Sequence, residues 1–125
     1  MSKIQTAYLA GMIDGDGTLT VQYSKKTNGI RVMIIVTNTS YFLMKHLESL
    51  GFYTIAATNN FGRGYFSFQI SGIDLIDVFK MLEPHLIIKK LQCQNLIGLC
   101  EKRMRQAKRD KPTKAMLAHI KEIRK

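Results

Sequence analysis

The apolar positions of this chain change period several times, and each change marks an element. From Lys3 to Ile13 the large apolar residues Tyr8, Leu9, Met12 and Ile13 fall at helical spacing, and Ala7, Ala10 and Gly11 give the helix a small-residue face. Gly15-Asp16-Gly17 is expected to stop it, since glycine readily takes the backbone angles that end a helix. Strict alternation follows. Leu19, Val21 and Tyr23 against Thr20, Gln22 and Ser24 predict a strand over 19–24. Lys25 to Gly29 reads as a loop, with Asn28-Gly29 as its turn signal. A second strand over 30–37 sets Val32, Ile34 and Val36 on one face and Arg31, Met33, Ile35 and Thr37 on the other. A helix capped by Thr39 or Ser40 then carries Leu43, Leu47 and Leu50 and stops at Gly51.

The unit is then repeated. Strands are expected over Phe52 to Thr58 and Tyr65 to Ser71, around a glycine-containing turn at 59–64, with Phe66, Phe68 and Ile70 inward. Asp74 and Asp77 fall early in the next helix, where carboxylates suit the dipole, and Leu75, Ile76, Phe79 and Leu82 form its buried stripe. Pro84 breaks the chain. A longer helix is expected from Lys89 to Lys108, with Cys93, Ile97, Cys100 and Met104 on one stripe. Beyond Asp110 and Pro112 a last helix carries Met116, Ile120 and Ile123 on a narrow apolar face. This order predicts a single α+β domain over residues 1–125, a four-stranded antiparallel sheet backed by helices on one side. Its core spans about 3–106, with a C-terminal helical extension over 107–125.

Charge changes the picture next. Nineteen Lys and Arg against nine Asp and Glu give a net +10, an excess that favours polyanionic partners. It is concentrated at one end: Glu101 to Lys125 holds ten basic and three acidic residues, a net +7. The alternative is a helix face kept charged for solubility. The two cysteines, Cys93 and Cys100, match no common zinc spacing and read as buried free thiols. No segment resembles a signal peptide or a membrane span, so the expected location is intracellular: cytoplasm, nucleoid or an organelle.

If the apolar alternates face the helices, the opposite sheet face shows Thr20, Gln22, Ser24, Arg31, Thr37, Thr54, Thr58, Ser67 and Gln69. Such side chains can read base edges in a major groove, or simply face water. No acidic residue lies between Thr18 and Leu47 or between Ser49 and Gly72, which favours the first reading.

The segment Leu9-Ala10-Gly11-Met12-Ile13-Asp14-Gly15-Asp16-Gly17 carries the chemistry. Two carboxylates two residues apart at a helix C-terminus, where the last carbonyls are electronegative, make an oxygen-rich site suited to Mg²⁺ or Ca²⁺. They could equally be a helix stop built from Asp-Gly pairs. An EF-hand loop is excluded, because Leu19 and Lys25 stand where it needs Gly and Glu.

The nine residues resemble the motif of the LAGLIDADG homing endonucleases at seven positions, Met12 and Gly15 being the departures. The predicted αββαββα order and the Pro84 to Gln92 segment are also similar to that family, and the resemblance covers residues 3 to about 106. It implies a site-specific DNA endonuclease, commonly intron-encoded. One motif in 125 residues implies half of the working unit, hence a homodimer with Ala7, Ala10, Gly11 and Asp14 at the interface. Asp16 would be the metal-binding acid and the Gly15 carbonyl its companion ligand, with Mg²⁺ the expected ion, Mn²⁺ a substitute and Ca²⁺ supporting binding without cleavage. Lys89, with Lys90 as rival, would sit at the scissile phosphate, and Asn38 and Gln92 would orient the surrounding hydrogen bonds. Double-stranded DNA would lie across a saddle-shaped sheet, in contact with the face residues named above and with Lys26, Asn28, Arg63 and Tyr65. The alternative on the same fold is an RNA maturase, with intron RNA as partner, or an inactive nucleic-acid-binding protein.

Overall fold

The computed structural model describes residues 1–51, 54–58, 64–71, 75–106 and 110–124. Helix α1, Lys3–Asp16, begins at a capping box that the apolar pattern did not reveal. Ser2 Oγ accepts from the Gln5 N–H at 3.1 Å, and Gln5 Oε1 accepts from the Ser2 N–H at 2.8 Å, so two otherwise orphaned donors are satisfied reciprocally. The helix runs three residues beyond Ile13, through Asp16. Gly17 ends it in an extended conformation (φ −93°, ψ 168°) rather than a left-handed one. Glycine is needed there for space: a Cβ on Gly17 would lie 2.7 Å from the Ile13 Cα.

Strand β1, Gly17–Ser24, therefore leaves α1 with no loop, and pairs antiparallel with β2, Gly29–Asn38. Asn28 takes the left-handed turn position (φ 56°). Helix α2, Tyr41–Ser49, is capped by Ser40, whose Oγ accepts from the Leu43 N–H, and it stops where Gly51 adopts φ +93°. Met44 and Leu47 are its buried residues, while Leu43 and Leu50 are only half-buried. Strands β3, Thr54–Thr58, and β4, Gly64–Ser71, complete a four-stranded sheet in the order β1-β2-β4-β3. Expected positions Phe52, Arg63 and Asp74 lie outside the described residues.

Helix α3, Ile76–Leu82, passes into a short 3₁₀ turn at Glu83–His85, where Pro84 falls. Helix α4 spans Lys90–Met104 and turns back into α5, Lys114–Ile123, capped by Thr113. The stripe expected on α4 is corrected: Leu96, Leu99 and Arg103 are buried beside Cys93 and Cys100, whereas Met104 is 62% exposed. His119 locks α5 to α4. Lys102 has no acceptor, so its ammonium donates to His119 Nε2 at 2.7 Å, and the Nδ1–H donates to Asn95 Oδ1 at 3.2 Å. Burial and the Lys102 charge both push the His119 pKa down.

The core forms where the helices cover one sheet face. Leu9, Ile13, Leu19, Val21, Val32, Ile34 and Val36 join Phe79, Leu82, Leu96 and Leu99. Met116, Ile120 and Ile123 belong to the same cluster, so α5 is part of the core and not an appended tail. Cys93 and Cys100 are free and buried, and burial, first of all, raises both thiols to about 12. No helix among the described residues is long and apolar enough to cross a membrane.

Candidate functional site

Since β1 follows α1 directly, the end of α1 is held against the sheet. Gly15 and Asp16 emerge there, both exposed. Asn38, the last residue of β2, lies beside them, its Nδ2 donating to Asp16 Oδ2 at 3.4 Å. The amide is oriented by its other end, because Asn38 Oδ1 accepts from the Ser40 N–H at 2.8 Å. Among the described residues no group of three or more His, Cys, Asp or Glu is placed to hold an ion within one chain.

Asp14 has a different task from Asp16. Its carboxylate accepts from the Ile87 N–H at 2.7 Å and the Lys89 N–H at 3.0 Å. Helix α4 has no side-chain cap from its own N-cap residue, Lys89, so a carboxylate from a distant helix serves its N-terminus, where negative charge is favoured. Partial burial works against that charge. The backbone N–H groups of Ile87, Lys89 and Ile88 and the Lys89 ammonium outweigh it, and the carboxyl is held below its usual range. The return contact comes from Lys89, whose Nζ donates to the Asp14 carbonyl at 3.0 Å. This brings the Lys89 ammonium to the motif; Lys90 makes no hydrogen bond to it. Gln92 is turned elsewhere, its Nε2 donating to the Ile123 carbonyl at the end of α5.

The outward face of α1 is bare in its C-terminal half, beyond the exposed Ile4 and Tyr8. Ala7, Gly11 and Gly15 are exposed, and a Cβ added to either glycine would meet nothing within 4 Å. Ile4 is 83% exposed on the same helix, Phe42 (84%) lines one groove with it, and Ile87 (85%) and Ile88 (74%) are exposed beside the N–H groups that Asp14 accepts from. Ala10, expected on this face, is instead fully buried in the chain's own core. The reason is helical phase: Ala10 lies one residue from Leu9 and three from Ile13, both core residues.

On the sheet, Gln22 faces Arg31 across the β1–β2 pair, and both are exposed. Ser24, Lys26 and Thr37 are exposed, and Thr20 and Asn28 half-buried. Met33 falls in the same outer rows but is only 6% exposed. Register continues the outer rows from Thr37 to Ser67 and from Ile35 to Gln69, with Tyr65 two residues before Ser67. It corrects two positions. Thr54 pairs with Phe68 and Thr58 with Gly64, and Phe68 pairs in turn with the buried Val36. Paired residues share a face, so Thr54 and Thr58 belong to the helix-side rows, and Ile55 and Ala57 take the outer ones. The threonines drew the sequence reading to the wrong parity, since β3 does not alternate polar and apolar residues.

No family model and no curated protein sequence matches the chain. Solved structures do. The homing endonuclease I-CvuI, in a complex with a DNA target in the presence of magnesium, aligns over 98% of this chain and 96% of its own, at a TM-score of 0.65 and 18% identity. The homing endonuclease I-TnaI aligns over 94% of this chain and 84% of its own, at a TM-score of 0.66 and 18% identity. This is the LAGLIDADG homing endonuclease fold. The LAGLIDADG homing endonuclease I-SmaMI, bound to cleaved DNA, gives a TM-score of 0.66 at 19% identity, and this chain covers 42% of its length.

Within the LAGLIDADG fold, sequence reasoning missed Arg103. Its guanidinium is buried and donates to the carbonyls of Asn28 at 2.8 Å and Asp110 at 2.9 Å and to Gln106 Oε1 at 3.0 Å. It thereby ties the β1–β2 turn to the segment that leads into α5. An arginine at core spacing after Leu96, Leu99 and Cys100 was the available signal.

Proposed function

We propose that this chain is a homing endonuclease that works as a homodimer on a long, nearly palindromic duplex DNA site. The observation that carries this reading is the exposed Asp16 at the tip of a helix whose outward face holds the small residues Ala7, Gly11 and Gly15, with the exposed apolar side chains Ile4 and Tyr8 toward its start. Small residues let two backbones approach closely, and a two-fold axis along this face brings two copies of Asp16 together. The outer sheet rows around Gln22, Arg31, Thr37, Ser67 and Gln69 then form a continuous, acid-free saddle for the major groove.

The donor set suits a hard divalent cation. One chain offers the Asp16 carboxylate and the Gly15 carbonyl, all oxygen, which matches the preference of Mg²⁺ for one or two carboxylates completed by phosphate and water. Bound there, such an ion supplies charge stabilisation and an activated water for phosphodiester hydrolysis. The neighbouring solved structures include one with magnesium and one with calcium, I-CvuI in both cases. Asn38 holds the Asp16 carboxylate in place, and its fixed amide excludes the opposite orientation. Lys89 presents a cation beside the motif, suited to the charge that develops on a scissile phosphate. Asp14 acts through Lys89 as a positioning residue. Gln92, engaged with Ile123, has no part in this reading, and nothing favours intron RNA as the partner.

The test is incubation of a genomic DNA library with the protein, followed by sequencing of new ends. Mg²⁺ is expected to give paired, staggered cuts at few loci, while EDTA permits at most binding, and sedimentation is expected to give twice the 14.3 kDa chain mass. A monomer at cleaving concentrations contradicts the reading.

A further inference from the structure

Helix α5 packs its apolar stripe beneath β1, the edge strand of the sheet. Arg124 follows immediately after its last turn, with its backbone N–H bonded to the Ile120 carbonyl at 3.1 Å. The backbone is thus fixed, and the exposed side chain lines a groove of about 470 Å³ with Gln22, Tyr23, Ser24, Ile30 and Arg31. Gln22 and Arg31 are the exposed cross-strand pair of the outer sheet face. Two guanidinium groups therefore line one groove, one from the sheet and one from the C-terminal helix. Neither forms an ion pair among the described residues, where the two ion pairs are Lys45–Glu48 and Lys80–Glu101. Among the described residues no carboxylate lines the groove. Its volume is in the range of sites that take a nucleotide-sized group, and a guanidinium fork matches phosphate oxygens bidentately.

We infer that Arg124 binds a backbone phosphate of the duplex at the edge of the sheet, next to the base step faced by Gln22 and Arg31, so that α5 extends the recognition surface beyond the four strands. This deepens the nuclease reading and rests on it. Phosphate contacts set register and orientation while base contacts specify, so Arg124 would hold the duplex against Gln22 and Arg31 without reading sequence itself.

The experiment is fluorescence anisotropy of a labelled mixed-sequence DNA duplex in Ca²⁺, titrated between about 50 and 200 mM salt, for the wild type, Arg124→Gln, Arg124→Lys and Lys114→Gln. Lys114 is exposed at the other end of α5 and lines no part of the groove, so its variant removes the same charge elsewhere. Arg124→Gln is expected to shrink the affinity change over that range by roughly three- to four-fold per subunit, the loss of about one phosphate contact. Arg124→Lys is expected to keep most of the salt dependence, and Lys114→Gln all of it, with unchanged melting curves throughout. A wild-type slope in Arg124→Gln, equal losses in Arg124→Gln and Lys114→Gln, or a loss seen on duplex RNA but not on DNA overturns the inference and leaves the nuclease reading standing. Absence of duplex binding by the wild type removes both.

Discussion

Substituting Asp14 by Asn tests how the motif is wired to the rest of the molecule. The carboxylate serves two backbone N–H groups, at 2.7 and 3.0 Å, across a sequence gap of more than seventy residues. Hydrogen bonds to a charged group contribute about 1.5–3 kcal/mol each where water is excluded. Asp14 is half-buried, so solvent competes for both oxygens. Asn also retains one acceptor, but it turns an amide donor toward the second N–H. A loss of about 1 kcal/mol follows, similar to that of a helix cap, and it lowers Tm by roughly 4 °C at this chain length. The sign of the pH dependence is fixed. Folding holds the Asp14 carboxyl below the ordinary 3.8, so its contribution is present above that value and fades as pH falls through the lower folded one. Thermal melts of wild type and Asp14→Asn should differ near pH 7 and converge in acid. Equal Tm near neutrality, or a gap that persists undiminished in acid, contradicts this capping role of Asp14.

Three further outcomes follow from particular contacts. Gly17→Ala places a methyl 2.7 Å from the Ile13 Cα and is expected to cost about 1–3 kcal/mol in denaturant unfolding; a neutral result contradicts the close approach. Arg103→Lys keeps a charge but not the fork that reaches Asn28, Asp110 and Gln106, so a loss of about 2 kcal/mol is expected, together with faster amide exchange in the β1–β2 turn. Deleting residues 110–125 removes Met116, Ile120 and Ile123 from the core and is expected to abolish cooperative melting rather than merely weaken DNA affinity; a well-folded truncated chain shows α5 to be dispensable.

Much of this molecule is legible in its sequence, for reasons that differ by element. Period-two alternation found β1 and β2, because only one face of each is covered by helices. Asp16 was singled out by resemblance to the nine-residue motif, because two carboxylates flanking Gly15 at a helix end read equally well as a helix stop. What was missed involves contacts between distant residues. Ala10 and Ala7 are the same residue type three apart, and only the packing of Leu9 and Ile13 tells which of them faces inward. The parity of β3 depends on its register with β4, which Thr-Ile-Ala-Ala-Thr does not encode by alternation. Asp14 caps a helix that begins at residue 90, a partnership no local rule could propose. The charge at the C-terminal end read as an appended basic extension, although its apolar stripe is core.

Strand cleavage is expected to depend on Asp16, paired across a two-fold axis. This dependence is tested by comparing wild type with Asp16→Asn on a DNA site recovered by cleavage selection, with Mg²⁺ for cutting and Ca²⁺ for affinity. Asp16 is exposed and, among the described residues, its carboxylate bonds Asn38 alone, so an unchanged melt, retained binding and no cleavage are expected. An Asp16→Asn protein that still cuts both strands at the wild-type rate contradicts that dependence.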